Sequence, residues 1–267
     1  MDFGISGKVA VITGGDSGIG QATAKLLAAE GVKIALLDRT KESLENAVEE
    51  VSKIGDVLPV EADLTNLEEV EAAKQKVVDH FGAAHILVNC AGITGAQKDF
   101  LELTDKDWYE TIDVDFMAAV RVCRAFIPLM QQAGWGRIVL IGSEDAVQPY
   151  VDEMPYCAAK AALLNFTKNL SNAVAQNGIL VNAVSPAYIE TPMTDKMMEK
   201  RSKEEGMDFD TAVKTFLQEK RPHLVLQRRG KASEVAAVIA FLCSQHASFV
   251  VGSNFRVDGG SVATVHQ

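Results

Sequence analysis

Short apolar runs rich in β-branched residues recur along this chain, separated by longer helical patterns: KVAVIT (8–13), KIALLD (33–38), VLPVEA (57–62), HILVNC (85–90), RIVLIG (137–142) and LVNAVS (180–185). Continuous rather than alternating apolarity means that both faces of these strands are covered, as in a parallel sheet flanked by helices. The segments between them, such as QATAKLLAAEG and PYCAAKAALLNFTKNLSNAVAQNG, carry apolar residues at helical spacing and close on glycine. After KASEVAAVIAFLCSQ, a further helix, SNFRVDG reads as a last short strand. The expectation is an α/β fold, a Rossmann-type doubly wound parallel sheet of about seven strands with right-handed crossovers.

With 48% hydrophobic residues in 267 and no linker, repeat or low-complexity tract, residues 1–267 are expected to form a single domain. The regularity breaks once, at about 191–227, where a charged, Met-rich stretch reads as one or two helices inserted as a lid. A formal charge of -10 argues against a nucleic-acid partner or an anionic membrane. The N-terminus lacks a basic segment followed by a sustained apolar stretch, and no run approaches a membrane span. Cys90, Cys123, Cys157 and Cys243 are widely spaced, with no metal-binding cluster. Reduced thiols and a cytoplasmic location are the expectation.

The first strand runs into TGGDSGIG and then a helix. Gly14, Gly18 and Gly20, with Asp16, Ser17 and Ile19 between them, suit a tight turn that brings backbone N–H groups against a pyrophosphate. The second strand ends in Asp38, where a carboxylate accepts from adenosine ribose hydroxyls and repels a 2′-phosphate. That favours NAD, with NADP the alternative if Arg39 reaches a 2′-phosphate rather than lying on the adenine. Asp63, followed by Leu64, either meets the adenine amino group or caps a helix. In NCAG, Asn89 braces strands or contacts the ligand, while Ala91 and Gly92 leave room for a cofactor.

The fifth strand delivers Ser143 at its carboxyl end, and Tyr156 and Lys160 follow at i, i+4 on a helix that Pro155 opens. A nearby ammonium and a cationic nicotinamide favour the phenolate and move the phenol's pKa toward neutral pH. The phenol then takes or returns an alcohol proton while hydride moves. Ser143 would hold the substrate oxygen. A small-molecule alcohol or ketone is the partner this chemistry needs.

Together TGGDSGIG, NCAG, Ser143 with YCAAK, and SPAYIETPM resemble the short-chain dehydrogenase/reductase superfamily over nearly the whole chain. The resemblance implies the Ser143, Tyr156 and Lys160 roles given above. It also implies that the residues after Pro186 meet the nicotinamide carboxamide, through the Ile189 backbone and the Thr191 hydroxyl, and that the protein is a homotetramer. Two positions depart from the family pattern. Pro186-Ala187 replaces Pro-Gly, and Asp115 stands where a catalytic asparagine is usual. Glu144, Gln148, Met154 and Tyr188 are substrate-pocket candidates by proximity. The polar pair hints at a sugar or polyol, and Met193, Met197 and Met198 at an apolar ring. The competing readings are an NADP(H)-dependent 3-oxoacyl carrier-protein reductase, a non-catalytic NAD(H) sensor, and an epimerase or dehydratase using bound NAD.

Overall fold

The six apolar runs form β1 (Val9–Thr13), β2 (Lys33–Asp38), β3 (Val57–Glu61), β4 (Ile86–Asn89), β5 (Gly136–Ile141) and β6 (Ile179–Pro186) in the computed structural model, which describes residues 2–265. Two short strands, β7 (Ile189–Glu190) and β8 (Gly230–Lys231), pair with each other, and β9 (Asn254–Val257) adds to the main sheet. The seven-stranded sheet is parallel throughout, in the order β3-β2-β1-β4-β5-β6-β9. Strand order therefore reverses between β1 and β4, and the crevice at the carboxyl ends of these strands is where ligands of open α/β sheets bind.

Helices α1 (Gly18–Ala29), α2 (Lys41–Ser52), α3 (Leu67–Phe81), α4 (Asp105–Ile112), α5 (Ala118–Ala133), α6 (Met154–Val174), α7 (Pro192–Glu205), α8 (Phe209–Lys220) and α9 (Ala232–Cys243) complete the chain. Each sheet face has its own core. On one face Val70, Val77, Val122, Phe126 and Leu163 of α3, α5 and α6 pack on Val11, Leu87 and Leu140. On the other, Leu27, Leu44 and Ile239 of α1, α2 and α9 pack on Ile12, Leu36 and Val88. Every residue of β1 and β5 is buried, as their unbroken apolarity requires.

The Met-rich insertion folds as α7 and α8. Met198, Phe216, Leu217 and Leu224 close on Tyr188 in a small core of their own, and the β7–β8 pair ties the insertion's two ends together. Residues 105–133 form α4 and α5 joined by a π turn at Asp113–Met117. That turn sets Asp115 facing the sheet rather than solvent, with no exposed surface.

Candidate active site

A cavity of about 670 Å³ opens at the carboxyl ends of the central strands. At one end lies the β1–α1 loop, contributing Gly14, Asp16, Ser17, Gly18, Ile19 and Gly20. A Cβ on Gly20 would lie 2.0 Å from the Gly14 carbonyl oxygen, so the loop can fold this tightly against α1 only with glycine there. No side chain caps the N-terminus of α1; the Ser17 hydroxyl donates instead to Asp16 Oδ1 at 3.1 Å. The first N–H groups of the helix thus face the cavity ready for an anion, and the residues present fit a nicotinamide dinucleotide.

Asp38 and Arg39 line the next part of the wall. The Asp38 carboxylate accepts from the Arg39 backbone N–H at 2.7 Å and from the Ser43 hydroxyl at 3.2 Å. Burial, followed by the charge of neighbouring Asp16, raises its pKa. The Asp16 and Asp38 carboxylates thus lie near each other on this wall. Asp63 and Leu64 line the same region. Asp63 accepts from the Thr65 hydroxyl and N–H at 2.7 and 2.8 Å, bonds that hold its pKa down, whereas the cap of α3 is Asn66, three residues later than the sequence suggested. Asn89 lies outside the cavity wall. It is buried and accepts from the Thr13 hydroxyl at 2.9 Å, bracing β4 against β1, while Thr13 Oγ1 in turn accepts from the Ala91 N–H at 3.2 Å.

Ala91 and Gly92, Ser143, Tyr156, Lys160, Asp115, Pro186, Ile189 and Thr191 all line the deep end. Lys160, almost wholly buried, donates to the Ile141 carbonyl at 3.1 Å and lies 3.2 Å from Asp115 Oδ1. Its ammonium is 5.3 Å from the centre of the Tyr156 ring. Asp115 also accepts from the Ile93 N–H at 3.3 Å. A Cβ on Gly92 would come within 2.6 Å of Asp115 Oδ1, so glycine there permits the Asp115–Lys160 contact. Burial raises the Asp115 pKa and Lys160 opposes the rise.

The Tyr156 phenol departs from the expected direction. Burial, then the charges of Asp115 and Asp145, push its pKa well above the usual value. In the protein itself burial, and after it the neighbouring carboxyls, sets this direction.

The pocket candidates chosen by proximity are placed elsewhere. Glu144 is buried against Arg221, with Nε 3.5 Å from Oε1. Gln148 donates to the Ser261 carbonyl at 3.0 Å and accepts from the Ala263 N–H, so it anchors the C-terminal segment. Tyr188 packs on Phe216 with ring centres 4.8 Å apart, and neither it nor Met154 lines the large cavity. Ile93, Val114, Met193 and Met197 do line it, beside Thr94, Thr194 and Lys196. Sequence reasoning missed Asp145 and Glu153, two buried carboxyls behind Ser143. The run SED at 143–145 was the local signal for Asp145.

Residues 14–262 match the family described as enoyl-(acyl carrier protein) reductase. The chain belongs to the short-chain dehydrogenase/reductase superfamily. It is 36% identical to the 3-oxoacyl-[acyl-carrier-protein] reductase FabG of Thermotoga maritima, over 97% of this chain and 99% of that one. L-sorbose reductase from Gluconobacter frateurii, solved with NADPH and L-sorbose, superposes with a TM-score of 0.94 at 39% identity, covering 99% of this chain and 100% of that one. NAD+-bound xylitol dehydrogenase superposes with a TM-score of 0.87 at 30% identity, covering 96% and 99%. This member of the superfamily is therefore an oxidoreductase that works on alcohol and ketone groups with a nicotinamide cofactor. Among the described residues no helix is long and apolar enough to cross a membrane.

Proposed function

We propose that the protein is an NAD-dependent dehydrogenase that interconverts a small secondary alcohol and its ketone. The observation that carries the cofactor choice is the Asp38 carboxylate, half-buried at the end of β2 and beside Asp16. It offers acceptors to two ribose hydroxyls and repulsion to a 2′-phosphate. The cofactor accepts hydride from the alcohol carbon in one direction and donates it to the carbonyl in the other.

Within the chain, Tyr156 moves the proton at the substrate oxygen, Ser143 donates a hydrogen bond to that oxygen, and Lys160 holds the phenolate and the nicotinamide ribose. Pro186, the Ile189 backbone and Thr191 flank the carboxamide. The apolar wall of Ile93, Val114, Met193 and Met197 favours a substrate with an apolar body. With Glu144 and Gln148 turned away, the polyol hint loses its geometric support. Four free cysteines among the described residues agree with a cytoplasmic protein, and the superfamily's habit supports a homotetramer.

Asp38→Ser tests the cofactor assignment. Removing a charged acceptor worth about 1.5–3 kcal/mol lowers kcat/KM for NAD by roughly tenfold to a hundredfold. Activity with NADP rises because Arg39 gains an anionic partner. Steady-state rates with both cofactors check this. Wild type preferring NADP would favour the second reading, an NADP(H)-dependent 3-oxoacyl carrier-protein reductase, which Arg39 on the cavity wall and the similarity to FabG recommend.

Asp115 supplies a pH test. Its carboxyl raises the pKa of the Tyr156 phenol, and alcohol oxidation needs the phenolate. Asp115→Asn removes that influence, so the acidic limb of kcat/KM for oxidation should move to lower pH with activity retained. An upward move would contradict the electrostatic reasoning.

A further inference from the structure

The single proton of the Ser143 hydroxyl is directed away from the cavity. It is donated to Asp145 Oδ1 at 3.0 Å, while Oγ accepts from the Asp145 backbone N–H at 3.2 Å. Asp145 is 5% exposed and is not part of the cavity wall, so it acts there through its hydrogen bond with Ser143 and through its charge on Tyr156.

Around Asp145 the charges are unbalanced. Its carboxyl is hydrogen-bonded to Glu153 at the start of α6 and lies near Glu144. Arg221, just after α8, is the cation facing this group: Nη2 is 3.2 Å from Glu153 Oε2, Nε is 3.5 Å from Glu144 Oε1, and the guanidinium lies 3.7 Å over the Tyr150 ring. Gln97 donates to Glu153 at 2.9 Å, Tyr156 faces Asp145 from α6, and Asp258 acts on Glu144 from the C-terminal segment. Three buried carboxyls against one guanidinium favour keeping a proton among them. Burial and then Glu153 push the Asp145 carboxyl up to about 8.

We propose that Asp145 is a positioning residue for the reaction, its carboxyl setting whether the Ser143 proton points inward or toward the substrate oxygen. The proposal rests on Ser143 as the hydrogen-bond donor described under Proposed function. A neutral Asp145 shares its own proton with Glu153, and the Ser143 hydroxyl is released to turn into the cavity. An ionised Asp145 holds that hydroxyl inward as an acceptor, and the transition state loses one donor. Ionisation sends the Asp145 proton to solvent, so no bond to carbon changes.

The test needs no substrate. In the full-length protein labelled with ¹³C at the aspartate side-chain carboxyls, one signal should titrate near pH 8. It should vanish in Asp145→Asn and persist in Asp115→Asn, which assigns the other buried aspartate. In Ser143→Ala its midpoint should rise by about one to two units, because the hydroxyl that stabilises the carboxylate has gone. No such signal, or an unmoved midpoint in Ser143→Ala, would overturn the proposal. With NADH and cyclohexanone, kcat/KM of the wild type should fall about tenfold through the same midpoint and Asp145→Asn should lose that step. A step retained in Asp145→Asn also overturns the proposal. Absence of turnover with every alcohol and ketone would instead refute the functional reading and leave the carboxyl titration intact.

Discussion

Tyr156→Phe is expected to lower turnover by about 10²- to 10⁴-fold while NADH still binds. The substitution removes one oxygen. The ring keeps its place on α6 and its contact with the Lys160 ammonium, and neither the glycine loop nor Asp38 is disturbed. What is lost is the hydroxyl proposed to carry a proton to and from the substrate oxygen, a task for which the Ser143 hydroxyl is not acidic enough. Rates should fall equally in both directions, because the same proton is taken in oxidation and returned in reduction. Parallel measurement of kcat and of NADH binding by fluorescence checks the separation. A near-normal kcat would remove Tyr156 from the mechanism.

Arg221→Leu is expected to cost about 3–5 kcal/mol of stability, because it leaves Glu153 and Glu144 buried without their counter-charge. The loss should depend on pH with a definite sign. Without the guanidinium, the folded-state pKa of the Glu144 carboxyl, already raised by burial, rises further above its unfolded value. The folded protein then binds more protons than the unfolded one, and stability falls as pH increases through that window. Thermal unfolding at about pH 6 and pH 9, read against the wild type, should show the larger deficit at the higher pH. The exposed Arg228–Glu234 pair is the control, and Arg228→Leu should change little. A deficit equal at both pH values would mean that packing against Tyr150 and Phe216, rather than charge, is what Arg221 supplies.

What the sequence made legible follows from short-range rules. Unbroken apolar runs identified the buried strands, glycines marked the tight β1–α1 turn, and i, i+4 spacing put Tyr156 and Lys160 on one helix face. Those signals are local, and the backbone obeys them. Asp115 was recognisable as an unusual residue, but the π turn that buries it against Lys160 leaves no trace in a 3.6-residue period. Glu144 and Gln148 were chosen because they follow Ser143 closely. The short 3₁₀ turn at 144–146 swings them away from the cavity, and Arg221 and the C-terminal segment then claim them. Arg221 itself lies far from residues 144–153 along the chain, so no spacing rule could pair them. The same limit hid Asp145, whose significance comes from the carboxyls that the fold gathers around it.

The proposed reaction is hydride transfer to and from NAD at the cavity holding Asp38 and Tyr156. Its most direct test is the absorbance of the reduced cofactor when the purified protein is mixed with NAD or NADP and secondary alcohols, cyclohexanol among them. Net formation of NADH, faster with NAD than with NADP and abolished in Tyr156→Phe, is the predicted result. Cofactor binding without turnover of any alcohol, or of the matching ketones with NADH, would contradict the claim and leave a protein that binds the nucleotide without using it.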